Sequence, residues 1–473
     1  MDMSKNVIPD DVRRVHLMAV CGTAMGALAC MLKDLGYEVT GSDQKVYPPM
    51  SDFLAGRGIR IVDGFRPENL GHRPDLVVVG NAVTRLNPEA VELDRLGLPF
   101  CSMPQAINRF VVAGRQTLMV TGTHGKTTTS ALLAWILQAA GCDPSFVIGG
   151  ILKNFQSNYR LGNGGLIVIE GDEYDTAFFD KGPKFLHYRP VATVLTSIEF
   201  DHADIYRDLA HVQSAFRRLV DGLPPGSLLV ACDEDPHIPE VIAGAALTVR
   251  RYGRREGSHW RLGPIRVDPP WTTFDVLKTG SRFARFRTRL IGTHNLLNAL
   301  AGIAVADHLG ISAAALTGAL ETFEGIRRRQ EIRGEKRGIV VMDDFAHHPT
   351  AVRETIAAVK AAFPGRRIIA VFEPRTNSSM RKVFQPVYPA SFECADMICI
   401  RRPPRLDKVP EAERFSSEDL VRELNRRGKA AGFFPDTDQI INHLAQTAAS
   451  GDVILIMSNG GFDNIHERLL ASL

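Results

Sequence analysis

The chain has 473 residues, 45% of them hydrophobic and 23% charged, and carries a net charge of +3. That length exceeds what one hydrophobic core organises, so two to four domains are expected, with a composition ordinary for a globular protein. Near charge balance gives nucleic acid and anionic membrane surfaces no hold, so neither is expected as a partner. The local basic clusters Arg327–Arg329 and Arg401–Arg405 matter more than the total.

The seven cysteines (Cys21, Cys30, Cys101, Cys142, Cys232, Cys394 and Cys399) are scattered without C-x-x-C spacing. Such dispersion predicts reduced thiols in a cytoplasmic compartment and no zinc site. There is no basic-then-apolar leader and no apolar run of membrane-spanning length, so a cytosolic enzyme is expected.

Strand-like runs alternate with helix-compatible stretches, the pattern of parallel α/β layers. Val15–Val20 predicts a buried strand, Ala24–Leu35 a helix, and Tyr37–Ser42 a second strand ending at Asp43. Further strands are expected at Ile59–Val62, Leu76–Gly80 and Leu98–Cys101, and this first unit should end near Ala113. Between its first strand and helix stands Cys21-Gly22-Thr23-Ala24-Met25-Gly26, an incomplete relative of the G-x-G-x-x-G turn. It reads as a diphosphate cradle with Asp43 at the ribose position, or as a tight turn holding no ligand.

In Gln116–Ala134 an apolar run, Thr117–Thr121, stops at a glycine turn. The turn delivers Gly125-Lys126-Thr127 into a helix-compatible stretch, Thr128–Ala140. Backbone N–H groups of such a turn and the positive helix end form an anion cradle. Lys126 would neutralise β/γ-phosphate oxygens of ATP, and the Thr127 hydroxyl would ligate Mg²⁺. Gly122-Thr123-His124-Gly125-Lys126 is a shorter loop than G-x-x-x-x-G-K-T. A glycine turn that merely caps a helix is the alternative.

Downstream, the buried strands Leu166–Glu170 and Val191–Thr196 lead into Glu170-Gly171-Asp172-Glu173 and Glu199-Phe200-Asp201-His202. Carboxylates at strand ends beside a phosphate loop suit a cation bridging phosphate oxygens, and His202 is a possible further ligand. Solvated acidic loops are the plainer alternative. Leu228–Ala231 is another strand, and residues 250–289 predict an antiparallel excursion without chemistry. Gly292–Leu309 is a helix with Asn295 and Asn298 on one face. They could meet an adenine edge or cap the helix. Arg327-Arg328-Arg329 is a solvated linker or a source of arginine for a transferring phosphate.

A third unit begins near Gln330. Its strands are expected at Gly338–Asp343, Arg367–Phe372, Met397–Ile400 and Asp452–Met457, its helices at Ala351–Ala361 and Ser417–Arg427. Asp343-Asp344-Phe345-Ala346-His347-His348-Pro349 and Glu373-Pro374-Arg375-Thr376-Asn377-Ser378-Ser379 both follow strands. The second suits bidentate capture of a ligand carboxylate.

In this order, TGTHGKTTT, EGDE, EFDHAD, GTHNLLNALA, FEGIRRR and DDFAHHP resemble the signature set of the Mur ligases, over essentially the whole chain. Within that family, VCGTAMG, GSDQKVYPPM, GDEYDTAFFDKGPKFLHYRP, EPRTNSSMRK and MSNGGFDNIHERLL look most like the branch acting in murein recycling. The resemblance implies an α/β protein of three domains. Residues 1–113 would be a Rossmann-like UDP-sugar domain, 114–329 a central P-loop ATPase domain, and 330–473 a Rossmann-like domain for the incoming peptide.

The implied activity is ATP-dependent ligation of UDP-N-acetylmuramate to L-alanyl-γ-D-glutamyl-meso-diaminopimelate through an acyl phosphate. ATP and Mg²⁺ are the implied cofactors, in a cytoplasmic monomer or weak homo-oligomer. Gly122, Thr123, His124, Gly125, Lys126, Thr127 and Thr128 would hold ATP phosphates, with Thr127, Glu170 and His202 on the metal. Asn295 and Asn298 would contact adenine, Asp344 the ribose, and Arg329 and His347 the phosphates. Gly22, Thr23, Met25, Ser42, Asp43 and Asn81 would line the UDP-sugar site; Arg375, Thr376, Asn377 and Ser378 would lie near the tripeptide.

Two positions depart from the family pattern. Arg217 stands where several members carry a carbamylated lysine, so metal loading is arranged differently or the arginine substitutes its charge. Ser197 stands where relatives often place an asparagine. The rival readings are a muramate–alanine ligase, a folylpolyglutamate-type ligase, and a catalytically silent nucleotide-sugar sensor; the N-terminal glycine turn alone suggests a nicotinamide oxidoreductase.

Overall fold

The computed structural model describes every residue except Lys45, Tyr47, Pro48, Pro49 and Arg405, and leaves aside the side chains of Met50, Ser51 and Asp52. Parts of GSDQKVYPPM and of the Arg401–Arg405 cluster therefore lie outside the described residues. Backbone contacts group the chain into two compact units. One comprises Met1–Ile198, Ala210–Ser258 and Ala301–Ala319; the other comprises Glu199–Leu209, His259–Leu300 and Leu320–Leu473.

The first unit opens with a 5-stranded sheet in the order Arg60–Asp63, Glu38–Asp43, Arg14–Met18, Leu76–Val79, Phe100–Ser102. Every pairing in it is parallel. Leu76–Val79 is buried throughout, as a strand covered on both faces must be. The order reverses beside Arg14–Met18, and the helix Thr23–Asp34 starts there, where α/β sheets bind ligands.

The same unit holds a larger sheet built on Gln116–Thr121. That strand pairs in parallel with Ala192–Leu195 on one side and Leu166–Gly171 on the other. Leu228–Cys232 and Thr248–Gly253 extend it in parallel beyond Ala192–Leu195. On the far side Ser145–Leu152 pairs in parallel with Leu166–Gly171, and Ser157–Arg160 closes that edge antiparallel. The helix Thr23–Asp34 beside the first sheet meets the edge strand Ser157–Arg160 of the larger one, and Phe100 meets the hairpin of Asp175–Ala177 and Asp180–Pro183. Asn158 Nδ2 donates to Thr23 O at 3.1 Å, the Tyr159 hydroxyl donates to Asp34 at 3.1 Å, and Phe100 stacks edge-on against Phe179.

The second unit contains an antiparallel meander, Trp260–Asp268, Trp271–Lys278 and Ser281–Thr288. The expected antiparallel excursion is therefore present, although its first expected residues belong to the parallel strand Thr248–Gly253. The unit also contains a 6-stranded sheet ordered Glu331–Lys336, Ile339–Asp344, Val453–Met457, Ile368–Phe372, Met397–Arg401, Ala430–Phe434. Its pairings are parallel except the first. Apolar clusters fill both faces, around Phe372, Tyr388 and Phe392 on one side and Ile441, Leu444 and Ile456 on the other.

The seven cysteines carry no disulfide, and among the described residues no helix is long and apolar enough to cross a membrane.

Candidate active site

The buried strand Gln116–Thr121 aims its carboxyl end at Gly122, whose φ is 123°. A Cβ at Gly122 would lie 2.2 Å from Thr196 Oγ1 and 2.8 Å from Ser197 N, so only glycine fits. The turn is pinned to the next strand end. Thr123 N donates to Ser197 O at 2.9 Å, and His124 N donates to Ser197 Oγ at 2.9 Å. Ser197, which received no role from the sequence, thus shapes the loop. Gly125 takes a left-handed conformation with φ 79° and caps the helix Lys126–Ala139, leaving the helix start without a side-chain cap. Open backbone donors at that end suit an anion.

Lys126 folds back over the loop. Its Nζ donates to Gly122 O at 2.6 Å and to both oxygens of Glu173, at 2.8 and 3.0 Å. Burial alone would lower its pKa, but Glu173, Asp172 and Glu170 together raise it, so the lysine is cationic. Thr127 Oγ1 donates to Glu170 Oε1 at 2.9 Å, and the other carboxylate oxygen accepts Gly149 N at 2.8 Å. A hydroxyl and a carboxylate oxygen side by side are hard donors, a set that fits Mg²⁺. Sequence reasoning missed Lys184, which is buried and donates to Asp172 at 2.7 Å, neutralising the middle carboxylate of the acidic loop. Arg217 is occupied elsewhere. It donates to Asp221 at 3.1 Å and to the carbonyls of Glu240 and Val241 at 3.3 Å.

In the N-terminal sheet, Gly22 caps the helix Thr23–Asp34 without a side-chain bond, Met25 is buried and Asn81 is exposed. Asp43 ties the turn together by accepting Cys21 N and Gln44 N, each at 2.7 Å. Burial raises its pKa against the effect of these bonds. Ser42 faces inward and donates to the fully buried Glu89 at 2.9 Å, so its hydroxyl supports the site from beneath. Glu89 also meets His16 Nε2 at 2.6 Å.

The second unit gathers the remaining predicted residues into two groups. In the first, Asn295 Nδ2 donates to Gln330 Oε1 at 2.9 Å, Asn298 Nδ2 donates to Asn295 Oδ1 at 3.3 Å, and Gln330 N donates to Asp344 Oδ2 at 2.8 Å. Arg329 lies over the Phe345 ring, 4.7 Å from its centre. Burial raises the Asp344 pKa, with Arg329 opposing it. The asparagines, the arginine linker and the strand-end aspartate are thus one connected patch.

In the second group, His202 adopts a left-handed backbone with φ 53°, a strained conformation for a non-glycine residue. Asp201 accepts His202 N at 2.7 Å, Ala203 N donates to Ser378 Oγ at 3.1 Å, and Asn377 Nδ2 donates to Asp204 at 2.8 Å. Burial would raise the Asp201 pKa, but His202, His347 and His348 hold it below the usual carboxylate range. His347 Nδ1 donates to Phe345 O at 2.9 Å. Thr376 Oγ1 bonds to Ser379 Oγ at 2.8 Å, closing the turn that carries Arg375.

Three family models match the chain: "Mur ligase family, catalytic domain" over residues 14–115, "Mur ligase middle domain" over 120–306, and "Mur ligase, glutamate ligase domain" over 328–460. The UDP-N-acetylmuramate–L-alanyl-γ-D-glutamyl-meso-2,6-diaminoheptandioate ligase of Escherichia coli K12 is 40% identical over 461 residues, covering 97% of this chain and 98% of the relative. The crystal structure of a murein peptide ligase from Psychrobacter arcticus 273-4 is 36% identical with a TM-score of 0.73, covering 97% of this chain and 98% of its own. That of a UDP-N-acetylmuramate–alanine ligase from Thermotoga maritima is 26% identical with a TM-score of 0.81, covering 97% and 98%. The chain belongs to the Mur ligase family, the ATP-dependent amide-bond ligases, and has their three-domain α/β architecture.

Proposed function

We propose that this ligase joins the lactoyl carboxylate of UDP-N-acetylmuramate to the amine of L-alanyl-γ-D-glutamyl-meso-diaminopimelate, converting ATP to ADP and phosphate. The observation that carries the reading is 40% identity along nearly the whole of a relative named for that reaction. The reaction would serve murein recycling in the cytoplasm, a compartment consistent with seven cysteines and no disulfide. A monomer or weak homo-oligomer suffices for it.

The carboxylate of muramate is a poor electrophile, because oxide does not leave. Transfer of the ATP γ-phosphoryl group converts it to an acyl phosphate; the tripeptide's neutral amine attacks, and phosphate leaves from the tetrahedral intermediate. Three anionic groups must first be brought close together. Residues Gly122–Thr128 would cradle the triphosphate, with Lys126 and Arg329 offsetting its charge. Thr127, Glu170 and His202 would hold Mg²⁺, which when bound neutralises phosphate charge. Asn295, Asn298 and Asp344 would hold the nucleoside, and Gly22, Thr23, Met25, Asp43 and Asn81, with Ser42 behind them, the UDP-sugar. Asp344 or His347 would accept the amine proton. Arg375, Thr376, Asn377 and Ser378 would meet the peptide.

Ligation of free L-alanine, the reaction named for the Thermotoga maritima structure that shares the fold with a TM-score of 0.81, is the second reading. A shared fold does not choose between acceptors, and the higher identity lies with the peptide ligases. Mass-spectrometric product identification with ATP, Mg²⁺, UDP-N-acetylmuramate and each acceptor in parallel decides. Exclusive use of L-alanine overturns the first reading.

A further inference from the structure

Glu373 follows the strand Ile368–Phe372 with no exposed surface, and the proposed function gives it no task. A carboxylate so placed must be compensated. Arg401, at the end of the neighbouring strand Met397–Arg401, donates Nη1 to Glu373 Oε1 and Nη2 to Asp463 at 2.7 Å. Ser458, just past the strand Val453–Met457, donates its hydroxyl to Glu373 Oε2 at 2.6 Å. Three adjacent parallel strands thus deliver one buried anion and its two anchors to the carboxyl edge of the sheet.

The second cation beside Glu373 is different. Arg375 Nη1 stands 3.7 Å from Glu373 Oε2, an ion pair too long for a hydrogen bond. Among the described residues none accepts a hydrogen bond from its guanidinium, although the side chain is only 23% exposed. Its place is made by Gly460, where a Cβ would lie 2.4 Å from Arg375 Nε and 2.7 Å from Cζ. That turn is itself gripped by Arg328, which donates to Ser458 O at 2.6 Å and Gly460 O at 2.7 Å. In the same turn the buried Asn459 Oδ1 has no hydrogen-bond partner. A guanidinium fork whose donors meet no acceptor suits a ligand bearing a carboxylate.

We propose that Glu373 is a positioning residue: locked by Arg401 and Ser458, it orients Arg375 so that the guanidinium receives a carboxylate of the acceptor. This rests on the peptide-ligase reading, and it names the recognised group as a carboxylate on the diaminopimelate-bearing end of the acceptor. Glu373 attracts the guanidinium without consuming its donors, which is what distinguishes it from an ordinary salt-bridge partner.

The test is steady-state kinetics on E373Q, S458A and R375K in the full-length enzyme. Each should raise KM for the tripeptide about tenfold or more, with KM for ATP and UDP-N-acetylmuramate within about twofold. A tripeptide amidated on its diaminopimelate carboxylates should lose a similar factor with wild type and little further with R375K or E373Q. Equal rises in all three KM values, or an unchanged tripeptide KM, overturn the proposal. If E373Q does not fold, S458A and R375K still decide it. If wild type ligates only L-alanine, the peptide-ligase reading fails, and with it the assignment to diaminopimelate. The same KM split read with L-alanine then shows whether Glu373 positions Arg375 for the alanine carboxylate or has no such role.

Discussion

Lys126 Nζ and Glu173 Oε2 lie 2.8 Å apart, with the two side chains 13% and 3% exposed. The phosphate-loop lysine is therefore held in place by an internal anion before any triphosphate arrives. Replacing Lys126 with methionine removes the charge meant for the phosphates and takes its ion pair with Lys126 from the buried Glu173. K126M should lose about a thousandfold in ligation rate. It should also lose about 3 kcal/mol of stability, the cost of breaking one side of a buried ion pair. The double variant K126M/E173Q should recover most of that stability and none of the activity. Urea unfolding of the free proteins beside a phosphate-release assay separates the two effects; ligation by K126M near the wild-type rate would remove the loop from the mechanism.

Gly122 is the tightest point of the same loop. At φ 123°, with a Cβ 2.2 Å from Thr196 Oγ1, alanine forces either the turn or the Thr196–Ser197 strand end to move. G122A should cost about 2–3 kcal/mol through strain. It should also cut turnover at least a hundredfold, because the donors at Thr123 and His124 shift with Ser197. Retained ATP turnover in a destabilised G122A would show that loop geometry is not what the chemistry requires.

Arg217 resolves one of the two departures from the family pattern. Its guanidinium is committed to Asp221 and to two carbonyls, with the ion pair largely exposed at 43% and 57%. An exposed pair contributes about 0–1 kcal/mol. R217A should therefore keep kcat and the magnesium dependence of the rate within about twofold of wild type. A rightward shift of the magnesium titration by tenfold would instead mean that the arginine substitutes for a carbamylated lysine.

Asp75 gives a pH signature remote from the chemistry. Its side chain accepts Arg14 Nη2 at 2.9 Å and the backbone N–H of Arg13 and Arg14 at 3.0 and 2.8 Å, tying the start of the first strand to the loop before the fourth. The hydrogen bond from the Arg14 side chain leads the causes that bring its pKa down to about 2. A depressed folded-state pKa means stability that is present above the unfolded value of about 3.9 and lost as pH falls toward the folded value. D75N should be less stable than wild type at pH 7 by on the order of 1 kcal/mol, after screening at this partly exposed site. The gap should stay level down to about pH 4 and close between about pH 4 and 2. Acid titrations of both proteins, followed by circular dichroism, measure it.

How much was legible in the sequence depended on how local each signal was. The parallel strands that are continuous apolar runs, such as Leu76–Val79, Leu166–Gly171 and Val453–Met457, read correctly, whereas the parallel strands Ser145–Leu152 and Thr248–Gly253, broken by glycine or arginine, did not. Phe100–Ser102 starts two residues later than expected, since the register begins at Phe100 and only the Pro99 carbonyl before it meets the neighbouring strand, accepting Val77 N at 3.0 Å. The hairpin partner Ser157–Arg160 and the edge strands Glu331–Lys336 and Ala430–Phe434 escaped, being polar or half-buried edges with no periodic signal.

The turn Gly122–Thr127 was legible because a strand stop and a helix start adjoin it in sequence, and Glu170, 43 residues from Thr127, was legible as a carboxylate closing an apolar run. Their supports were not. Ser197 beneath His124, Lys184 on Asp172 and Glu89 behind Ser42 meet their partners across 73, 12 and 47 residues, and nothing in their own neighbourhoods marks them. The inward turn of the Ser42 hydroxyl is likewise set by Glu89 on a distant helix, so its strand-end position alone pointed to a ligand contact.

The two asparagines of the helix Thr293–His308 divide their labour in a way that a base-swap experiment can expose. Asn295 is fully spent inside the protein: its amide donates to Ile291 O at 3.0 Å and Gln330 Oε1 at 2.9 Å, and its oxygen accepts Asn298 Nδ2 at 3.3 Å. Asn298 uses only its amide nitrogen, so among the described residues its Oδ1 receives no hydrogen bond. That oxygen suits the exocyclic amino group of adenine and opposes the carbonyl of guanine. N298A should raise KM for ATP about tenfold and narrow the ATP-over-GTP preference in kcat/KM by a similar factor. N295A should raise KM for ATP less, by loosening Asn298, and should weaken the Gln330 link to Asp344. The assay is initial rates with ATP and GTP at fixed magnesium and sugar nucleotide. An N298A enzyme that keeps the full preference for ATP would place the base away from this helix, and Asn298 would then be only a brace for Asn295.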